Sequence, residues 1–205
     1  MLLAIDTSIG TSVAVVDLDA GILAEESSLD PRAHAEVIGE LIRAVLVGSA
    51  VDRRTLSGVV AGMGPGPFTG LRVGIAAARA FAFGISRPVV PVVSHDAIAF
   101  GRAHPTLVVT DARRREVAWS RYGLPDELGL PVRIAGPSLA HPDELASAVP
   151  DLSDLDRVDA TAVSAGALGM LAERMWAAGR TFPSADALYL RAPDVTLSAP
   201  KRVTG

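Results

Sequence analysis

The sequence predicts an α/β protein built as two lobes, residues 1–103 and 104–205. Two observations carry this expectation: the first hundred residues read βββαβαβα from their apolar periodicity, and a strand pattern restarts after the Gly101 to Pro105 interruption. Composition supports it. The 205 residues are 49% hydrophobic and 20% charged, with a mean hydropathy of +0.35, which supplies a buried core without resembling a membrane chain.

Each element has a local reason. Leu2 to Ile5 and Val13 to Val16 are short apolar runs separated by turn chemistry over Asp6 to Ser12, a β-hairpin, and Ile22 to Ser28 follows Asp19-Ala20-Gly21 as a third strand. Asp30-Pro31 predicts an N-cap with proline at the first helical position, and Gly48 closes that helix. Its apolar stripe is His34, Val37, Ile38, Leu41, Ile42 and Val45. Gly58 to Ala61 reads as a buried strand, Leu71 to Gly84 as a helix, Pro88 to Val93 as a strand and Ser94 to Arg102 as a short helix. The second lobe has strands at Leu107 to Thr110, Glu116 to Tyr122 and Val132 to Ala135, then a helix within Pro137 to Val149. A strand at Ala160 to Val163 and a helix over Ala167 to Ala178 follow, a weak echo of the first lobe.

Composition removes several chemistries. Without cysteine there are no disulfides, thiol nucleophiles or cysteine-based metal sites. The four histidines, His34, His95, His104 and His141, offer no pair three or four residues apart, so no metal site is expected. A net charge of -4 and 4% aromatics argue against independent nucleic-acid binding. The first residues carry no secretory signal, and the apolar stretch Val73 to Ile85 is broken by Arg79 and too short to span a bilayer, so a cytoplasmic location is expected.

Two loops could hold a phosphate. Asp6-Thr7-Ser8 with Gly10 brings a carboxylate, two hydroxyls and backbone amides to one hairpin tip, a pattern shared with ordinary Asx turns. Gly64-Pro65-Gly66-Pro67-Phe68-Thr69-Gly70 joins a strand to a helix, where amides attract anions, although two prolines remove donors and the pattern is neither a Walker A loop nor GxGxxG. The candidate cofactor-binding residues are therefore Asp6, Thr7, Ser8, Gly64, Gly66, Thr69 and Gly70. The helix that follows is apolar on all sides apart from Arg72 and Arg79, so part of it is expected to be covered by a partner. His34 reads as a buried or interface histidine, and Arg113-Arg114-Arg115 as a charged hairpin turn. No paired carboxylates and no Gly-x-Ser-x-Gly elbow appear, so no catalytic residue is assigned.

Ala4-Ile5-Asp6-Thr7-Ser8, the block from Gly64 to Gly74, Asp111-Ala112-Arg113 with Glu116-Val117, and Tyr189-Leu190-Arg191 run in order over nearly the whole chain. Together they resemble the TsaB (YeaZ) family. The resemblance implies the ASKHA (actin-like ATPase) fold, two RNase H-like lobes with mixed sheets flanked by helices. It further implies a non-catalytic paralogue of TsaD that heterodimerises with it through two helices, here Pro31 to Val47 and Gly70 to Gly84. The complex, with the ATPase TsaE, transfers threonylcarbamoyl to adenosine 37 of tRNAs reading ANN codons, so tRNA is met only through the complex.

On those helices the candidate interface residues are His34, Ile38, Leu41, Arg72, Gly74, Ala78 and Phe81, and they are also a candidate homodimer surface when the partner is absent. No cofactor is required by this subunit, with ATP or ADP a candidate ligand at the interface of the complex. Where TsaD carries a metal-binding His-x-Glu-Gly-His motif, this chain has Ser94-His95-Asp96-Ala97-Ile98, and isoleucine cannot coordinate a metal. Ser164-Ala165-Gly166-Ala167 likewise stands where TsaB chains often have Gly-Asp-Gly-Ala. The alternative is a stand-alone ASKHA-type ATPase or small-molecule kinase using Asp6 and the glycine loop. A glycoprotease role, sometimes attached to this superfamily, lacks a metal-ligand pair.

Overall fold

A computed structural model describes residues 1–30 and 32–191. The first sheet contains β1 (Leu2–Asp6), β2 (Thr11–Asp17), β3 (Gly21–Ser28), β4 (Gly58–Gly62) and β5 (Val89–Val92), in the order β3-β2-β1-β4-β5. β1, β2 and β3 form an antiparallel meander, and β4 and β5 continue parallel to β1. The register pairs Leu3 with Val15 and Ile5 with Val13. Alternation then sends Leu3, Ile5, Val13 and Val15 to one face, and Leu2, Ala4, Ala14 and Val16 to the other. Both faces are buried, which explains why these strands read as continuous apolar runs.

Two helices cover the first face: α1 (His34–Gly48), through Ile38 and Val45, and α2 (Phe68–Gly84), through Leu71, Ile75, Ala78 and Ala82. The opposite face is covered by α5 (Ala165–Ala177), with α3 (Ser94–Ala99) beside it. Although α5 follows the second sheet in the chain, Ala165, Leu168, Leu171 and Ala172 pack against Leu2, Ala4, Ala14 and Val16. Its expected place in the second lobe is therefore corrected: the helix returns to the first sheet. Gly169 permits the close approach, because a Cβ there would lie 2.7 Å from Val16 Cγ2. Burying each leucine contributes about 1.5–3 kcal/mol to this return.

The second sheet holds β6 (Thr106–Ala112), β7 (Glu116–Tyr122), β8 (Arg133–Ala140) and β9 (Asp156–Ala160), ordered β8-β7-β6-β9. Again an antiparallel meander is followed by a strand parallel to its first member, so the echo seen in the sequence is a repeated topology. Its smaller core gathers Leu107, Val109 and Trp119 under Leu145 of the short α4 (Leu145–Ala148) and nearby Val149. Together the two sheets, flanked by helices, have the architecture of the ASKHA class.

Several boundaries differ from expectation. The expected N-terminal proline of α1, Pro31, lies outside the described residues; α1 begins at His34, and Asp30 instead accepts a turn bond from Arg32 N–H at 2.9 Å. β8 runs on through Pro137, which an edge strand tolerates. β9 begins at Asp156 rather than Ala160: as an edge strand it keeps charged side chains, including the exposed Arg157–Asp159 pair at 2.7 Å. α3 ends at Ala99, three residues early.

Candidate functional site: an interlobe cleft and a two-helix face

A cleft of about 510 Å³ separates the two sheets. Ser8, Gly66, Phe68 and Thr69 line it from the first sheet, and Thr110, Asp111, Arg113, Arg114 and Leu139 from the second. Tyr189 to Arg191 close one end. Of the seven expected cofactor-binding residues, Ser8, Gly66 and Thr69 reach this cleft. Asp6, Thr7, Gly64 and Gly70 are buried and do not line it.

The reason lies in how the hairpin tip packs. Asp6 is 1% exposed, and protein donors occupy both of its carboxylate oxygens. Oδ1 accepts from the Ser8 amide at 2.8 Å and the Ser8 hydroxyl at 2.5 Å, while Oδ2 accepts from the Ser94 hydroxyl at 2.5 Å. Burial raises the Asp6 pKa above the ordinary carboxylate value, opposed by the hydrogen bonds from Ser8 and Ser94. Thr7 Oγ1 donates to the Gly70 carbonyl at 2.8 Å, and a Cβ on Gly74 would come within 2.1 Å of that same oxygen. The loop glycines thus admit Thr7 and Ser8: a Cβ on Gly66 would sit 2.8 Å from Ser8 Cα.

Ser94, at the position where the resemblance would place a metal ligand, locks this arrangement. Its hydroxyl donates to Asp6 and accepts from the Gly64 amide at 3.1 Å, and its own amide donates to the Gly64 carbonyl at 2.8 Å. Ile98, at the other ligand position, packs into the apolar core. The residues present do not fit a metal. His95 is also committed to structure: its ring nitrogens meet Ser120 Oγ at 2.8 Å and Thr110 Oγ1 at 3.0 Å, and burial pushes its pKa to about 3. At the start of α5, Ser164 caps the helix by accepting from Ala167 N–H. Glu25 of β3 accepts from the Gly166 amide at 3.1 Å, so a protein carboxylate meets this helix N-terminus.

A C-terminal strap joins the lobes. The Leu188 amide donates to the Met63 carbonyl at 2.8 Å, and Arg79 donates to the Ala185 carbonyl at 2.8 Å. Tyr189 stacks on Phe68 with ring centroids 4.3 Å apart, and the Arg72 guanidinium lies 3.7 Å above the Phe68 ring. Arg191 then donates to the Arg113 carbonyl and pairs with Glu116 at the β6–β7 turn. Part of the all-round apolar surface of α2 is therefore covered by its own chain, a role that sequence periodicity missed.

The α1–α2 layer presents its outer face to solvent, but not through all the expected residues. His34, Ile38, Gly74 and Ala78 are buried against the chain's own sheet and hairpin, Ala78 completely, and their partner-facing assignment is corrected. His34 Nδ1 meets Thr11 Oγ1 at 2.8 Å, and burial lowers its pKa, opposed by Asp30 and Asp6. Leu41 and Phe81 are half-buried, and Arg72 is exposed. The outward set on α2 is Arg72, Ala76, Arg79, Ala80 and Phe83, with Phe83 88% exposed; on α1 it includes Glu36, Gly39, Glu40, Arg43 and Val47. Both sets are what remains of each helical wheel once the sheet-facing stripe is removed.

The family model for TsaD, tRNA N6-adenosine threonylcarbamoyltransferase, matches residues 14–166. An uncharacterized protein of Mycobacterium tuberculosis strain H37Rv is 47% identical over 123 residues, 59% of this chain and 58% of that protein. The tRNA threonylcarbamoyladenosine biosynthesis protein TsaB of Escherichia coli K12 is 33% identical over 127 residues, 59% of this chain and 54% of that one. The matches thus span a little over half the length of these curated relatives. YeaZ from Pseudomonas aeruginosa superposes with a TM-score of 0.76 at 25% identity, covering 92% of this chain and 99% of its own. A second Pseudomonas aeruginosa structure, described as similar to the peptidase YeaZ, gives 0.76 at 26% identity, covering 93% and 99%.

Proposed function

Since this chain belongs to the TsaD family and is a TsaB (YeaZ)-like member of it, we propose that it is an accessory subunit of tRNA threonylcarbamoyladenosine biosynthesis rather than its catalyst. It docks on a TsaD-type threonylcarbamoyltransferase subunit through the outward face of α1 and α2, and TsaE joins that complex. It acts in the cytoplasm; among the described residues no helix is long and apolar enough to cross a membrane. The observation that carries this reading is the exposed α2 stripe of Ala76, Ala80 and Phe83 beside α1. Small side chains allow a facing helix to approach, and a phenylalanine left in water supplies an anchor. The commitment of both Asp6 oxygens to Ser8 and Ser94 supports the non-catalytic part.

Chemically, the subunit would contribute shape. A four-helix contact made by α1, α2 and two partner helices would hold the partner's own lobes in a productive arrangement, without this chain touching the reacting atoms. The test is threonylcarbamoyl transfer to tRNA in a reconstituted mixture of TsaC, TsaD and TsaE, with and without this protein. Product only in its presence, lost with Phe83→Glu while the variant still folds, is the expected result. Equal product without it, or ATP turnover by the isolated chain that disappears in Asp6→Ala, would overturn the reading in favour of an enzyme in its own right.

A further inference from the structure

Between α2 and the strap runs a groove of about 630 Å³ whose floor is Ile75, Ala76 and Ala187. Arg72 and Arg79 stand along its helical side, seven positions apart and so on one face about 10 Å along the axis. Each guanidinium spends one donor on the strap, Arg72 Nε to the Tyr189 hydroxyl at 3.3 Å and one Arg79 terminal nitrogen to the Ala185 carbonyl at 2.8 Å. Among the described residues no carboxylate lies within ion-pair distance of either. Asp186, at the rim, accepts from the Ser184 hydroxyl at 2.7 Å. The groove therefore combines an apolar floor with two cations that have donors to spare, and it adjoins the exposed α2 stripe.

We infer that the partner's docking surface extends beyond the two helices onto this strap, and that the groove receives a carboxylate side chain from a partner helix, laid over Ala76 between Arg72 and Arg79. The inference rests on the docking reading proposed above and adds its electrostatic half. Small floor residues admit the side chain's methylenes, and a carboxylate facing two guanidiniums forms charge-assisted hydrogen bonds that a neutral side chain cannot. The strap then has a second role. By holding both arginines through the Tyr189 hydroxyl and the Ala185 carbonyl, it sets their spacing before the partner arrives.

The experiment titrates the organism's threonylcarbamoyltransferase subunit with the full chain at low and high salt. Arg79→Ala is expected to weaken binding about tenfold and flatten its salt dependence. Ala185→Glu, an exposed strap position that lines the groove, lies off the α2 stripe and keeps the backbone carbonyl that Arg79 uses, is expected to weaken it at least as much, and keeps the test meaningful if Arg79→Ala loosens the strap. Wild-type binding by both variants, with Phe83→Glu still disruptive, would remove the groove from the footprint and overturn this inference while leaving the docking reading intact. Undiminished binding by Phe83→Glu as well would overturn both. Loss of self-association with unchanged partner binding would assign the groove to Glu36 or Glu40 of a second copy, and would equally overturn it.

Discussion

Removing the Ser94 hydroxyl should be costly, with a cost that depends on pH in a defined direction. In Ser94→Ala the buried Asp6 carboxylate loses its 2.5 Å donor, and the Gly64 amide loses its 3.1 Å acceptor. A hydrogen bond to a charged group contributes about 1.5–3 kcal/mol, and an orphaned buried amide costs about 1–3 kcal/mol. The variant should therefore lose about 3–5 kcal/mol at neutral pH, a fall in Tm of roughly 6–20 °C for a chain of this size.

The Asp6 pKa is already raised by burial, and losing a donor to its ionised form raises it further. A carboxyl whose folded pKa exceeds its unfolded value destabilises the fold above that folded pKa, and the penalty fades as acid protonates it. The deficit of Ser94→Ala should accordingly be full near pH 7 and shrink toward pH 4. Thermal melts of wild type and variant across that range measure it. A Tm loss under about 3 °C, or a deficit that grows on acidification, would refute the assignment of Ser94 as the donor that stabilises ionised Asp6.

Other perturbations have equally definite outcomes. Ile38→Asp and Ala78→Asp place a charge inside the α1–α2 core, so thermal melts should show them destabilised by several kcal/mol, on the order of 3–5, whether or not a partner is present. His95 is neutral in the fold with a pKa near 3 and regains its ordinary 6.5 on unfolding, so stability drains as pH falls below 6.5. Between pH 6.5 and 5 denaturant titration should register a loss of about 2 kcal/mol that is absent from His95→Gln. Tyr189→Ala removes the Phe68 stack and the Arg72 contact, and hydrogen exchange of the Leu188 amide should accelerate while amides in β1 remain protected.

Much of the fold was legible because the first sheet is buried on both faces, leaving β1, β2 and β4 as unbroken apolar runs between turn residues. The destination of α5 was not legible: its apolar stripe shows that it covers a sheet, and nothing local says which of two. At the glycine loop, Gly66, Gly70 and Gly74 admit the backbone and side chains of Thr7 and Ser8, a contact across some 60 positions that no local pattern announces. Ser94 passed unnoticed as a donor because a serine opening a helix is ordinary capping material, while its partners lie 88 and 30 positions away. Tyr189 stood out only within the resemblance, since its contact with Arg72 spans 117 positions. On α1 and α2, periodicity identified the apolar stripe but not that it faces the chain's own sheet, so four buried residues were read as partner-facing.

The return of α5 to the first sheet has a consequence for how the protein is made. Leu2, Ala4, Ala14 and Val16 are translated well ahead of Leu168, Leu171 and Ala172, which cover them and follow Leu2 by more than 160 positions. At about 5–20 residues per second the half-covered sheet waits on the order of 10–30 s for its second layer. During that interval β1 and β2 present an uncovered apolar face, and a chain cut before Ala165 has no α5 with which to bury it. The second layer of the first sheet is thus completed long after its first two strands are made.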